Sequence, residues 1–226
     1  MSKEQFLKAR QDTWNYLREN KVENHMFHGP VSDQFWNSKI RMIAINMESY
    51  GYDGHCEADR AMLTDWLYDA GGTDTRTVRY TLAILAALKQ RIIDGNSPSY
   101  EKFQEIYINN DLLERTLDET VYYNIRPESN PNKEQDYAAI AAVGDSLIGS
   151  LLWGEIQSFD PQIIIVSGQA GLTALNGIAS LNPPLHFRES MRHSDGFIIQ
   201  SIAHPSRPNY EAWSSTIEQI TSKLKS

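Results

Sequence analysis

The sequence predicts an α/β domain in three layers, α/β/α, with a four-stranded, mostly parallel sheet at its centre. Three observations carry this. Short, β-branched apolar runs alternate along the chain with longer segments of helical period. Such alternation builds parallel strands joined by crossover helices, which bury the sheet on both sides. The four runs end on Asn46, Asn124, Gly168 and His204, and in sheets of this kind ligands bind beyond the carboxyl ends of the strands.

The elements follow in order. Residues 3–20 carry Phe6, Trp14 and Leu17 and predict a helix, whereas 21–37 hold Gly29 and Pro30 among polar residues and predict a loop. The first strand is 39–46, followed by a loop over 47–55 that contains Gly51 and Gly54. Helices are expected over 57–70, over 78–93 (Leu82, Leu85, Leu88 and Ile92 on one face), and as one or two shorter pieces over 99–117. The second strand, 120–124, is expected to stop ahead of Pro127 and Pro131, because proline cannot donate to a ladder. One long helix is expected over 134–158, with Ile140, Val143, Leu147 and Leu151 as its apolar stripe. The third strand, 162–166, runs into Ser167 and Gly168, with a helix from Gln169. The fourth, 196–202, ends at Ala203-His204-Pro205-Ser206, and a last helix over 208–224 carries Trp213, Ile217, Ile220 and Leu224. No repeat, linker or low-complexity tract interrupts the chain, so residues 1–226 read as one domain with a helical N-terminal portion.

A chain of 226 residues can bury about 70–75% of its unfolded surface. With 41% hydrophobic and 22% charged residues its composition is that of an ordinary globular protein. The net charge of −8 argues against a broad nucleic-acid-binding surface but leaves room for a small basic cleft. Any affinity for DNA is then expected to be modest and to fall with salt. The single cysteine, Cys56, forms no internal disulfide and holds no cysteine-ligated cluster. The charged N-terminal segment lacks the apolar core of a signal peptide, and no apolar run is long enough to span a bilayer. The expected location is cytoplasmic, with no membrane partner.

Several chemistries are missing from the sequence. It has no Walker loop and no dinucleotide fingerprint, and Ser167-Gly168-Gln169-Ala170-Gly171 lacks the central serine of a nucleophile elbow. His25 and His28 share a loop but have no clear third metal ligand, so neither a metal nor another cofactor is expected. His55 beside Cys56 reads as a loop histidine and a half-buried thiol rather than as a metal or nucleophile pair.

Four segments in order resemble the uracil-DNA glycosylase superfamily. They are Ile43-Ala-Ile-Asn46-Met-Glu48, at the place of the family's first motif; Asn124-Ile-Arg-Pro127, similar to its Asn-x-x-Pro element; Asp160-Pro-Gln-Ile-Ile-Ile-Val-Ser-Gly168, similar to its third strand; and His204-Pro205-Ser206, similar to its His-Pro-Ser motif. Together they cover roughly residues 38–224. The resemblance is greatest to the single-strand-selective and mismatch-specific branches. It implies that family's three-layer fold around a four-stranded parallel sheet, and hydrolysis of the N-glycosidic bond of uracil or another damaged base in base-excision DNA repair. The first motif departs from the pattern, because Met47-Glu48 stands where those branches have Pro-Gly and Ala44 replaces a glycine.

Cleaving an N-glycosidic bond builds positive charge on the sugar and negative charge on the departing base. His204 suits donation to the developing oxyanion. Asn46 can position a water, and Glu48 offers a carboxylate base two residues on. An amide offers a donor and an acceptor together, so Asn124 suits reading of a pyrimidine edge. Tyr50 and Tyr52 offer flat rings for a flipped base, and Gly168 and Ser206 complete the expected substrate contacts. Arg188, Arg192 and Arg207 form the only basic stretch near the proposed edge and are candidates for phosphate contact. The expected partner is DNA, single strands included, or another nucleobase-containing ligand. Two alternatives compete: a glycosylase-fold protein without catalysis that binds a nucleotide, nucleic acid or protein, and an unrelated α/β hydrolase of small molecules.

Overall fold

The computed structural model describes residues 3–50, 54–68, 73–130, 136–204 and 210–225. The chain is α/β, with a mixed seven-stranded sheet of order β3-β1-β4-β2-β5-β7-β6. Its strands are β1 (His25–Phe27), β2 (Met42–Tyr50), β3 (His55–Glu57), β4 (Val121–Asn130), β5 (Ile163–Ser167), β6 (Ser190–Arg192) and β7 (Ile198–Ile202). β2 pairs in parallel with β4 on one side and β5 on the other, and β5 pairs in parallel with β7. β1 runs antiparallel to β4, β3 parallel to β1, and β6 antiparallel to β7.

The sheet is therefore larger than the four strands expected. The three additional strands are three residues each, and they carry His25, His55, Glu57, Ser190 and Arg192. No apolar period marks them, and their extended backbone is held by pairing to partners distant in sequence.

The helices cover both faces. One core joins Ile43, Ile45, Tyr123, Ile164, Val166 and Ile199 to α1 (Lys3–Glu19), α8 (Leu147–Ser158) and α9 (Gln169–Ile178). The other joins Met42, Ala44, Tyr122, Ile163, Ile165 and Ile198 to α3 (Arg60–Tyr68), α4 (Thr73–Asp94), α5 (Tyr100–Ile108), α6 (Asn110–Glu119) and α10 (Tyr210–Lys225). Alternate residues of each strand enter opposite cores, as the two-residue period of a strand requires. Four-residue α2 (Gln34–Asn37) adds Phe35 to the first core.

Two central strands outrun their expected ends. β2 continues from Asn46 to Tyr50 through what reads as a loop, and β4 passes through Pro127 to Asn130. Glu48 lies opposite Arg126 and Tyr50 opposite Asn130, so two residues of β2 face four of β4. That irregularity takes up Pro127, which needs no ladder donor at a bulge.

The expected helix over 134–158 is broken. α7 (Tyr137–Ala142) passes through a 3-10 turn, Val143–Asp145, into α8, and the two segments are bent by 78°. Ser146 caps α8 by accepting from the Gly149 amide at 3.1 Å. At the break Gly144 lies against α9: a Cβ on Gly177 would stand 2.7 Å from the Gly144 Cα. No single helix among the described residues is long and apolar enough to cross a membrane.

One buried polar network pins α1 to this frame. Arg10, 7% exposed, donates from Nε to Glu155 Oε2 at 3.0 Å and from Nη2 to the His28 carbonyl at 2.5 Å. Glu155 is fully buried and also accepts from the Tyr123 hydroxyl at 3.0 Å. Burial and the nearby carboxylate push the Tyr123 phenol well up, so it stays protonated and donates. The guanidinium also lies over the rings of Phe6 and Phe27, at 4.9 and 4.5 Å from their centroids.

Gly177→Ala is expected to cost about 1–3 kcal/mol, because the new methyl meets backbone that cannot rotate away. Urea unfolding followed by circular dichroism checks this. An unchanged midpoint would show that α7 and α9 separate without penalty.

Candidate functional site

β2 is the central strand, and its register sets the site. Asn46 lies directly beside Asn124 of β4, and Ile45 lies beside Val166 of β5, which brings Ser167 level with Asn46. Ala44, Tyr122 and Ile165 all enter the second core, so by alternation Asn46, Asn124 and Ser167 share that face. Three polar side chains thus form a row across β4, β2 and β5, with neighbouring strands about 4.8 Å apart. β5 ends at this level, whereas β2 and β4 continue past it. The row lies at a step in the sheet.

The row is buried. Asn46 is 4% exposed, Asn124 6% and Ser167 fully buried. Neither the Asn46 amide nitrogen nor its oxygen has a hydrogen-bond partner among the described residues, and the Ser167 hydroxyl has none either. Leaving one buried polar atom unmet costs about 1–3 kcal/mol, so this is an expensive arrangement for a merely structural asparagine. Gln200, on the same face of β7, adds a buried Oε1 without a partner, as does the Thr81 hydroxyl of α4.

Gly168 follows β5 directly. Its φ of +75° favours glycine, and a Cβ there would stand 3.2 Å from Met47 Sδ. Its amide donates to the Ile202 carbonyl at 2.9 Å, which ties the ends of β5 and β7 together. The chain crosses from β4 to β5 past β2, so the connections diverge between β2 and β5, the switch point where open α/β sheets hold ligands. His204 lies two residues beyond β7, on the same edge. Burial holds its imidazole below the usual histidine range, so the ring is neutral near neutral pH.

Asn46, Asn124, Gly168 and His204 therefore share one edge of the sheet, though the first two lie within strands rather than at their ends. Glu48 and Tyr50 have described backbone, on the extension of β2, while their side chains fall outside the described residues, as do Tyr52, Ser206 and Arg207 entirely. Arg188 is exposed near the carboxyl half of β7; its amide donates to Ser201 Oγ at 2.6 Å and its guanidinium lies 5.3 Å from the Phe187 ring centroid. Arg192 is not brought to this edge. It pairs with Ile198 at the opposite end of β7, and its two arms donate to the Gly196 and Lys223 carbonyls.

Sequence reasoning singled out neither Ser167 nor Gln200 as a site residue, and weighed His28 only as a metal ligand beside His25. Their common signal is a polar residue inside or beside an apolar strand. His28 is 2% exposed, and its ring lies 5.8 Å from that of Tyr122 and against the Met26 backbone. Burial, with Arg10 adding, pushes its pKa down to about 3. His25 instead faces Phe27 and Trp14, with Nδ1 2.9 Å from His55 Nδ1, so His25 and His28 enter different sides and share no ion. Among the described residues no group of three or more His, Cys, Asp and Glu side chains could hold a metal ion. Burial pushes the Cys56 thiol up, away from the thiolate a nucleophile needs.

No protein-family model matches the chain, and no curated protein matches it.

Two outcomes follow for this face. Asn46→Leu replaces unmet polar atoms with methyl groups and is expected to raise unfolding stability by about 1 kcal/mol; a fall of that size in urea titration would mean the amide is satisfied. His28 is neutral in the fold down to about pH 3, whereas an unfolded histidine takes up its proton near pH 6.5. Its contribution is complete above pH 6.5 and is lost as pH falls toward 3, at up to about 1.4 kcal/mol per pH unit. His28→Phe is expected to flatten that acid limb in urea titrations between pH 7 and 4; an unaltered slope would place the cause elsewhere.

Proposed function

We propose that the chain hydrolyses the N-glycosidic bond of uracil or another damaged base in DNA, with the nucleobase read at the row formed by Asn46 and Asn124. The observation that carries the reading is the side-by-side pairing of these two buried amides, one with both polar atoms unmet. A planar base edge offers donors and acceptors at matching spacing, and pairing with them would offset the cost of burying the amide. The motif order around these residues supports the same reading. In it, neutral His204 donates to the leaving base, and Asn46 or Glu48 directs water to the sugar. The finer architecture goes with it: a glycosylase-like α/β/α sandwich in which β4, β2, β5 and β7 are the core strands and β1, β3 and β6 are edge additions.

A second reading is favoured by one observation. β2 runs unbroken past Asn46 to Tyr50, paired with β4, where the resembling branches carry a Pro-Gly. A site without that loop would bind a nucleobase-containing ligand and leave its bond intact.

The test uses labelled single- and double-stranded oligonucleotides containing uracil, followed by alkaline cleavage of abasic sites. His204→Ala is expected to slow base release by about 10²–10³-fold. Asn46→Ala slows it as well, and the double variant loses less than the product of the two. Glu48→Gln separates the two means of directing water, since a large loss assigns the base to the carboxylate. Release that survives both His204→Ala and Asn46→Ala overturns the catalytic reading. A wild-type chain that releases no base but binds uracil-containing strands supports the second.

A further inference from the structure

A cleft of about 410 Å³ opens beside α1 and β1, and Asn46, Asn124, Gly168 and His204 do not line it. Its charged groups are almost all matched. Lys3 pairs with Asp33 at 2.6 Å. Arg10 spends Nε and Nη2 on Glu155 and the His28 carbonyl. What remains is Arg10 Nη1, which forms an ion pair with Glu57 Oε1 at 3.7 Å. That is beyond hydrogen-bond length, and the Glu57 side chain is 63% exposed. The cleft thus holds one cationic donor and one carboxylate beside it, joined by a loose ion pair but by no hydrogen bond. Phe6 and Trp36, with centroids 6.0 Å apart, supply an apolar wall.

A simple anion placed on Arg10 Nη1 would face Glu57, and a simple cation placed on Glu57 would face Arg10. A molecule carrying both charges a few ångströms apart meets neither objection. We propose that this cleft binds a free α-amino acid with an aromatic or large apolar side chain. Its carboxylate accepts from Arg10 Nη1, its ammonium donates to Glu57, and its side chain lies against Phe6 and Trp36. Both polar contacts are charge-assisted, the cleft volume is within the usual range for a small-molecule site, and a third ring beside two tilted ones has edge and offset arrangements available. Arg10 is already immobilised by Glu155, so little ordering is needed when the ligand arrives.

Calorimetric titration of the full chain with L-phenylalanine tests this, alongside its methyl ester and its N-acetyl derivative. The amino acid is expected to bind with one-to-one stoichiometry. The ester and the N-acetyl form are each expected to bind about tenfold or more weakly, since each loses one charge-assisted contact. Glu57→Gln keeps the shape of an exposed side chain and is expected to cost about tenfold for the amino acid, with the circular dichroism spectrum unchanged. Absence of binding at millimolar L-phenylalanine overturns the proposal. So does equal binding of all three compounds, or an unaltered affinity in Glu57→Gln.

Discussion

The register of β2 between β4 and β5 is the constraint on which this molecule turns. β2 is buried on both faces, with Ile43 and Ile45 in one core and Met42 and Ala44 in the other. A slip of one residue would exchange the two sets and carry Asn46 to the opposite side. The apolar cost of such a slip falls on every residue of the strand, so the position of one unmet amide is enforced by packing well away from it. The same register sets Asn124 beside Asn46 and Ser167 level with both. A polar row that is unfavourable by itself therefore persists because the strands carrying it have no alternative pairing of similar stability.

The buried polar groups of this fold differ in how far they are answered. Arg10, Tyr123 and Glu155 Oε2 answer one another, while Glu155 Oε1 has no partner among the described residues, and the network ties α1 to α8, β4 and the residue that follows β1. Breaking such a buried pair from one side leaves an uncompensated charge, at about 3–5 kcal/mol. Asn46, Ser167 and Gln200 have side-chain atoms without a partner among the described residues. Native interiors hold few such atoms, and those of Asn46, Ser167 and Gln200 share the face of the sheet on which Asn124 also lies. These atoms lie toward the carboxyl edge of the central strands, where open α/β sheets bind their ligands.

The extension of β2 and β4 beyond β5 gives that edge its form. Where the sheet steps down at Ser167 and Gly168, the amides of Asn46 and Asn124 lie below a two-stranded projection carrying Glu48 and Tyr50. Pro127 would end an ordinary central strand, and it is accommodated because two residues of β2 face four of β4 at this point.

The sequence by itself determined the elements whose signal is periodic and local. The apolar runs before Asn46, Asn124, Gly168 and His204, the helical character of 99–117, and the stripes of α4 and α10 are all legible because burial of one face leaves a repeating trace. Asn46, Asn124, Gly168 and His204 were legible as candidates because polar residues that follow apolar runs fall near a sheet edge. Only the tertiary structure decided the rest. β1, β3 and β6 are too short and too polar to show a period, and they exist through pairing with distant partners. The break between α7 and α8 is set by the close approach of Gly177 to Gly144, which no local rule anticipates. The row of Asn124, Asn46 and Ser167 depends on register between strands far apart in the chain. Arg10 facing Glu57 across a cleft depends on where α1 docks. A sequence records which residues avoid water, whereas which polar groups meet, and which are left waiting, is decided when the strands align.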